Sequence, residues 1–168
     1  GPVSSKLVPK TSLSSRILYS IYIAFTGAET LALCLAGMPF YDALLTSFAT
    51  ACTGGFSVRN ASIAAYGLPA CEIIVTVFML LCSVNFAVYF LLLTRRLKQA
   101  LKSDELRFFL CAVLGAVALI FWNLLPTYDA AGHALRDTWF QVASVVSTSG
   151  FSTADFAQWP VLSQLVLI

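Results

Sequence analysis

Charge is what this sequence has least of. Of 168 residues, 11% are charged, ten Lys/Arg against eight Asp/Glu, where a soluble domain carries about 25%. The net charge of +2 provides no basic field of the kind nucleic acid requires, so no nucleic-acid partner is expected. One histidine, His133, and five cysteines (Cys34, Cys52, Cys71, Cys82, Cys111) offer no CxxC pair and no metal-ligand spacing. GxSxG, HExxH and P-loop motifs are absent. Cys52 and Arg59 come near a phosphatase loop, but six residues lie between them, one more than that loop allows. Neither an enzyme nor a bound cofactor is therefore expected. Three cysteines fall in apolar runs as small apolar side chains. Cys52 and Cys71 could meet, but no disulfide is expected. His133 reads as a surface residue of a polar loop.

What fills the chain instead is apolar: 59% of it. Three runs, at 17–35, 73–93 and 108–125, are long enough to cross a bilayer core of about 30 Å, which takes about 17–25 helical residues. The first is too long for a signal peptide and lacks a small-residue cleavage site. Lys6, Lys10 and Arg16 precede the first run, and Arg95, Arg96, Lys98, Lys102 and Arg107 lie between the second and third. Only Arg59 and Arg136 fall on the other side if the runs alternate. Basic residues accumulate on the cytoplasmic side. The reading is a multi-pass protein of the plasma (inner) membrane, with its N-terminus and the 94–107 loop cytoplasmic and the segments around Gly55 and Gly150 facing outside.

Between the long runs lie two short ones, 40–52 and 135–147, too short to cross. Each leads into a glycine-bearing stretch, TGGFS at 53–57 and TSGFS at 148–152. An offset of 95 residues superposes Thr53 on Thr148, Gly55 on Gly150, Phe56 on Phe151, Ser57 on Ser152 and Asp42 on Asp137. This is an internal repeat of the kind from which transporters are built. Its order is long helix, short helix, glycine turn, long helix. The fold class expected is an all-α membrane protein of helix–pore-helix–filter loop–helix units, similar to potassium channels. One unit is complete at 15–93, after a cytoplasmic linker at 1–14. A second, truncated unit at 108–168 follows the linker at 94–107, with its last helix beginning at 161–168.

Non-helical backbone at membrane depth is tolerated only where protein buries it or where it lines a watery cavity. A helix that ends there aims its negative end at the axis, which favours a cation, and a ring of free carbonyls can replace the hydration shell of potassium. The filter candidates are thus Thr53, Gly54, Gly55, Thr148, Ser149 and Gly150, acting through backbone and not side chains; a simple helix C-cap is the competing reading of each glycine. Phe56 and Phe151 are expected to brace the turns and touch no ion. Asp155 either attracts cations at the outer mouth or caps a local turn, and Arg59 opposes cations unless it is paired. Glu29, alone in its apolar run, is read as a hydrogen-bonding partner of a neighbouring helix or as a functional carboxylate. Asn85 and Tyr89 are expected to hydrogen-bond between helices.

The stretches KLVPK at Lys6, GM at Gly37, TGGFSVRNASIAAY at Thr53, FMLLCSVNF at Phe78 and STSGFSTADFAQWP at Ser147 resemble the Trk/Ktr/HKT superfamily of potassium transporters, in particular the Trk-type membrane subunit. The resemblance covers essentially the whole chain. It implies four fused units around one pore, each with a filter glycine followed by phenylalanine, of which this chain holds the second and third. Gly55 and Gly150 become the filter glycines, with potassium as substrate at the filter carbonyls. Sodium or mixed monovalent-cation transport on the same scaffold, or a two-pore-loop channel, are the alternatives; the TVGYG signature of the latter occurs in neither copy. The implied partners are the first and fourth pore units of the same protein, a second copy in a homodimer, a cytoplasmic nucleotide-binding regulatory subunit at the basic loop, and membrane lipid. The chain is expected to be a fragment that starts in native sequence at Gly1-Pro2 and lacks the family's gating loop and basic gate residue.

Overall fold

The computed structural model describes residues 11–59, 62–93, 100 and 102–168. Lys6, Lys10, Asn60, Arg95, Arg96 and Lys98 lie outside the described residues, and with them most of the basic residues that orient the chain.

The long helix α1 (Thr11–Leu35) rises about 37 Å at 1.5 Å per residue. It ends in a Schellman turn: Met38 N–H bonds to the Leu33 carbonyl at 3.0 Å and Gly37 N–H to Cys34 at 3.1 Å, with Gly37 at φ +102°. That turn reverses the chain into α2 (Phe40–Ala51), whose 12 residues reach only about 18 Å. After a 3₁₀ turn at Ser62–Tyr66, α3 (Pro69–Ser83) begins with proline at its first turn, where the missing N–H has no helical partner to lose. The second half repeats the order with α5 (Asp104–Leu124), α6 (Ala131–Val146) and α7 (Val161–Leu167).

The single span expected at 73–93 is two helices. It starts four residues earlier, as α3, and resumes as α4 (Phe86–Leu93) after a break at Val84 and Asn85. The Ser83 hydroxyl donates back to the Met79 carbonyl at 2.7 Å, a bond that loosens helices. Val84 then turns extended, at ψ 136°. The Leu81 carbonyl, which loses its helical partner, accepts the Val84 N–H at 3.2 Å and the Tyr89 hydroxyl. Asn85 reaches across to Glu105 on α5 at 2.7 Å. The second short helix also begins earlier than expected, so His133 sits in the first turn of α6 rather than in a loop. It remains exposed, beside Arg136.

Two of the helical segments, Ser15–Leu35 and Asp104–Leu124, are long and apolar enough to cross a membrane, and both carry large apolar side chains on their outer faces, among them Ile23, Leu31, Phe108 and Trp122. Such faces suit lipid, not water. Inside, one core joins Leu33, Met38, Val75 and Met79 of the first unit to Phe140, Ala143 and Phe151 of the second. A second core gathers Val113, Val117, Ile120 and Leu124 of α5 with Val142, Trp159 and Leu167. The units thus meet along α3 and α6, where Glu72 and Arg136 form an ion pair at 2.5 Å.

Candidate ion-filter site

Both short helices end the same way. After α2, Thr53 N–H bonds to the Thr50 carbonyl at 3.1 Å and Gly54 N–H to Ala49 at 2.8 Å. After α6, Thr148 N–H bonds to Val145 at 3.0 Å and Ser149 N–H to Ser144 at 3.1 Å. These are paired Schellman caps, but the left-handed cap position holds threonine, at φ +53° for Thr53 and +57° for Thr148. A β-branched residue is rarely found there, and the strain is of order 1–3 kcal/mol. Gly55 and Gly150, two positions on, are left-handed in their own right, at +61° and +77°. Neither glycine is the cap of its helix. The cap lies two residues earlier, on a threonine, a residue type that gives no hint of it.

The two turns meet. A Cβ placed on Gly55 would lie 1.7 Å from the carbonyl oxygen of Ser149 and 2.8 Å from its carbonyl carbon. The second turn's backbone therefore occupies the space that any other residue at 55 would need. At Gly150 nothing stands within 4 Å of the corresponding point. At Gly54 the nearest atoms are side chains, Phe56 at 3.0 Å and the Cys52 sulfur at 3.2 Å, which can rotate away. Ser149 fills the equivalent position in the second turn.

Hydroxyls tie the second turn down. Ser144 donates to the Phe151 carbonyl at 2.6 Å, the Ser147 and Ser149 hydroxyls share a bond at 2.7 Å, and Ser149 reaches the Met79 sulfur of the first unit at 2.9 Å. The Ser152 N–H donates to Ser62 of the first unit at 3.3 Å. Phe151 is buried in the inter-unit core at 1% exposure, whereas its counterpart Phe56 is 79% exposed. Asp155 is also exposed, and both of its oxygens serve a local turn, accepting from Ala157 N–H at 3.1 Å and from Gln158 at 3.0 Å. Arg59 is paired: its Nε lies 3.7 Å from Asp42, and its guanidinium sits over the Tyr66 ring. Asp42 also accepts from the Tyr66 hydroxyl at 2.8 Å, and its repeat partner Asp137 accepts from Tyr128 at 3.0 Å. Tyr66 follows its turn in the chain while Tyr128 precedes its own, so the same bond is built from different elements. Burial, aided by Asp137, pushes the Tyr128 hydroxyl up to about 12.

The TrkH family, described as cation transport proteins, matches residues 3–168. The chain belongs to the TrkH family. It is 35% identical over 175 residues to the Trk system potassium uptake protein TrkH of Salmonella typhimurium, covering 100% of this chain and 36% of that protein. It is 31% identical over 164 residues to the Trk system potassium uptake protein TrkG of Escherichia coli, covering 95% of this chain and 34% of the relative. Its fold matches the crystal structure of the potassium transporter TrkH from Vibrio parahaemolyticus with a TM-score of 0.88 and 31% identity, over 97% of this chain and 36% of that one. The chain thus spans about a third of the length of these TrkH relatives. The TrkH family is one of membrane transport proteins, not of enzymes.

Glu29, Thr50, Ser144 and Ser147 carry much of the hydrogen bonding around the turns, yet only Glu29 stood out in sequence. The others are small hydroxyl residues of helices, indistinguishable by composition from ordinary helix-surface positions. Their one signal is proximity: Thr50, Ser144 and Ser147 all lie within four residues of the start of a repeated TxGFS stretch.

Proposed function

We propose that this segment supplies two of the backbone loops that select potassium in a potassium-uptake protein. The observation that carries the proposal is the contact of the two glycine turns. Two stretches 95 residues apart, each ending a short helix, converge until Gly55 can bear no side chain beside Ser149. Convergence of that kind gathers free carbonyls from separate loops around one axis, which is what dehydrating a cation needs. Both short helices direct their C-terminal ends at this point, each equivalent to about −0.5 charge. The carbonyls of Thr53, Gly54 and Gly55 and of Thr148, Ser149 and Gly150 are the proposed ion contacts. Phe151 and Phe56 stand behind them, and Asp155 lies nearby at the outer mouth.

The remaining loops would come from the rest of the protein. Phe151 is buried by the unit that precedes it in the chain. By the repeat, exposed Phe56, with Tyr41 and Phe48 around a groove of about 390 Å³, is the surface against which the first pore unit would pack. The open side of Gly150 is where the fourth unit's loop would arrive. The assembly proposed is a homodimer in the inner membrane, with its N-terminus and the 94–107 loop cytoplasmic and available to a nucleotide-binding regulatory subunit. The test is Gly150→Ser in the full-length protein, scored as the ratio of potassium to sodium uptake per amount of protein in the membrane. Loss of potassium preference at normal abundance is expected; an unchanged ratio would remove the filter assignment.

A further inference from the structure

Glu29 is a carboxyl at 1% exposure within α1, in a span where an ionisable group is costly and rare. Its Oε1 lies 2.9 Å from the Thr50 hydroxyl, which donates to it. Thr50 is itself 1% exposed, and its hydroxyl also lies 3.0 Å from the Thr46 carbonyl. One bond further on, the Thr50 carbonyl accepts the N–H of Thr53 at 3.1 Å. Thr50 therefore links a buried carboxyl, through its side chain, to the strained residue that opens the first turn, through its backbone carbonyl.

The repeat shows what this link replaces. At the offset of 95 that superposes the ends of the short helices, Thr50 corresponds to Val145, and α5 carries no carboxylate beyond its first turn, so the second unit has neither partner. It has Ser144, Ser147 and Ser149 instead, bonded to its own turn and to Met79. Their counterparts in the first unit are Ala49, Cys52 and Gly54, none of which carries a hydroxyl. Each unit has one fastening and lacks the other, although both hold a left-handed threonine at the same place.

We propose that Glu29, acting through Thr50, is a positioning residue for the first filter loop. It holds the last turn of α2 so that Thr53 stays left-handed and the carbonyls after it keep their place in the ion path. This rests on the filter reading above. Nothing in the role requires Glu29 to touch the ion; it acts as a hydrogen-bond acceptor, and an amide can replace it.

The experiment is made in the full-length protein with Thr50→Val, Glu29→Leu and Glu29→Gln, and with Gly150→Ser as the control. Potassium and sodium uptake are measured separately, as maximal rate and as KM, per amount of protein in the membrane. Thr50→Val is nearly isosteric and removes only the bridging hydroxyl. It is expected to lower the potassium-to-sodium ratio roughly fivefold, the size of effect that one ordinary hydrogen bond supports. Glu29→Leu is expected to do the same, and Glu29→Gln to restore the ratio. A purely structural role would lower abundance and maximal rate for both ions together and leave their ratio alone. Should Glu29→Leu fail to reach the membrane, Thr50→Val decides. A wild-type ratio in Thr50→Val at normal abundance, or a Glu29→Gln as damaged as Glu29→Leu, overturns the assignment. If Gly150→Ser shifts the ratio and Thr50→Val does not, only this inference falls; if neither shifts it, the filter reading falls first.

Discussion

Replacing Gly55 by alanine puts a methyl group in place of a hydrogen, and the structure specifies where that carbon goes. It would lie 1.7 Å from the Ser149 oxygen and 3.2 Å from the carbonyl carbon of Gly150. Both neighbours are backbone, so no rotamer change relieves the clash, and one of the two loops must retreat by more than an ångström. Overpacking of this kind costs about 1–3 kcal/mol. Holding alanine left-handed at φ +61° adds about 1–2 kcal/mol. Gly55→Ala should therefore destabilise the protein by about 2–5 kcal/mol, a large part of a typical margin of 5–15 kcal/mol. Gly54→Ala meets only side-chain atoms, at 3.0 Å or more, which need give by only a few tenths of an ångström, so it should cost much less than Gly55→Ala. The assay is thermal melting of the purified full-length protein, with potassium and then sodium as the only monovalent cation. An ion bound by the native state alone raises the melting temperature in proportion to its affinity. Gly55→Ala is expected to melt early and to lose the extra stabilisation by potassium, while Gly54→Ala keeps both. A Gly55→Ala protein that melts with the wild type and keeps its potassium response would refute the reasoning, because the loops could not then be in contact.

Two further outcomes follow from the seam and from the topology. The Glu72–Arg136 pair joins the two units with Glu72 side chain 9% exposed and Arg136 23% exposed; removing one partner should cost about 3 kcal/mol, whereas Glu72→Leu with Arg136→Leu together should cost less than either alone, as read by thermal melting of the three variants. In a cysteine-free background on intact cells, an impermeant thiol reagent should label Asn60→Cys and spare Lys98→Cys; the reverse pattern would invert the orientation drawn from the basic residues.

Much of the architecture is legible in the sequence because its signals are coarse and redundant. Apolar length separates the long helices from the short ones, and a repeated TxGFS places the two turns without any structure. The break at Val84–Asn85 is not legible: the run from 73 to 93 is apolar throughout apart from Ser, Thr, Asn and Tyr, and the break is held by the Tyr89 hydroxyl folding back onto the freed Leu81 carbonyl and by Glu105 of α5 accepting from the Asn85 side chain. The start of α6 is hidden because Ala131, Gly132 and His133 read as loop until the Arg136–Glu72 pair and the buried Ala134 hold the first turn in place. At the turns, glycine signals freedom of φ, and Gly55 and Gly150 use it. The left-handed threonines at 53 and 148 escape notice because threonine disfavours that conformation; the surrounding helix cap imposes it. The contact of Gly55 with Ser149 is tertiary and leaves no local trace, and the partnership of Glu29 with Thr50 crosses 21 residues of chain.

The most direct test of the central claim is to locate the ion. Crystals of the full-length protein grown with rubidium or thallium in place of potassium would show the bound cation by its anomalous scattering. The account predicts a peak on the axis between the two turns, within coordination distance of carbonyls from 53–55 and from 148–150. A strong peak elsewhere in the protein, with none between the turns, would contradict it.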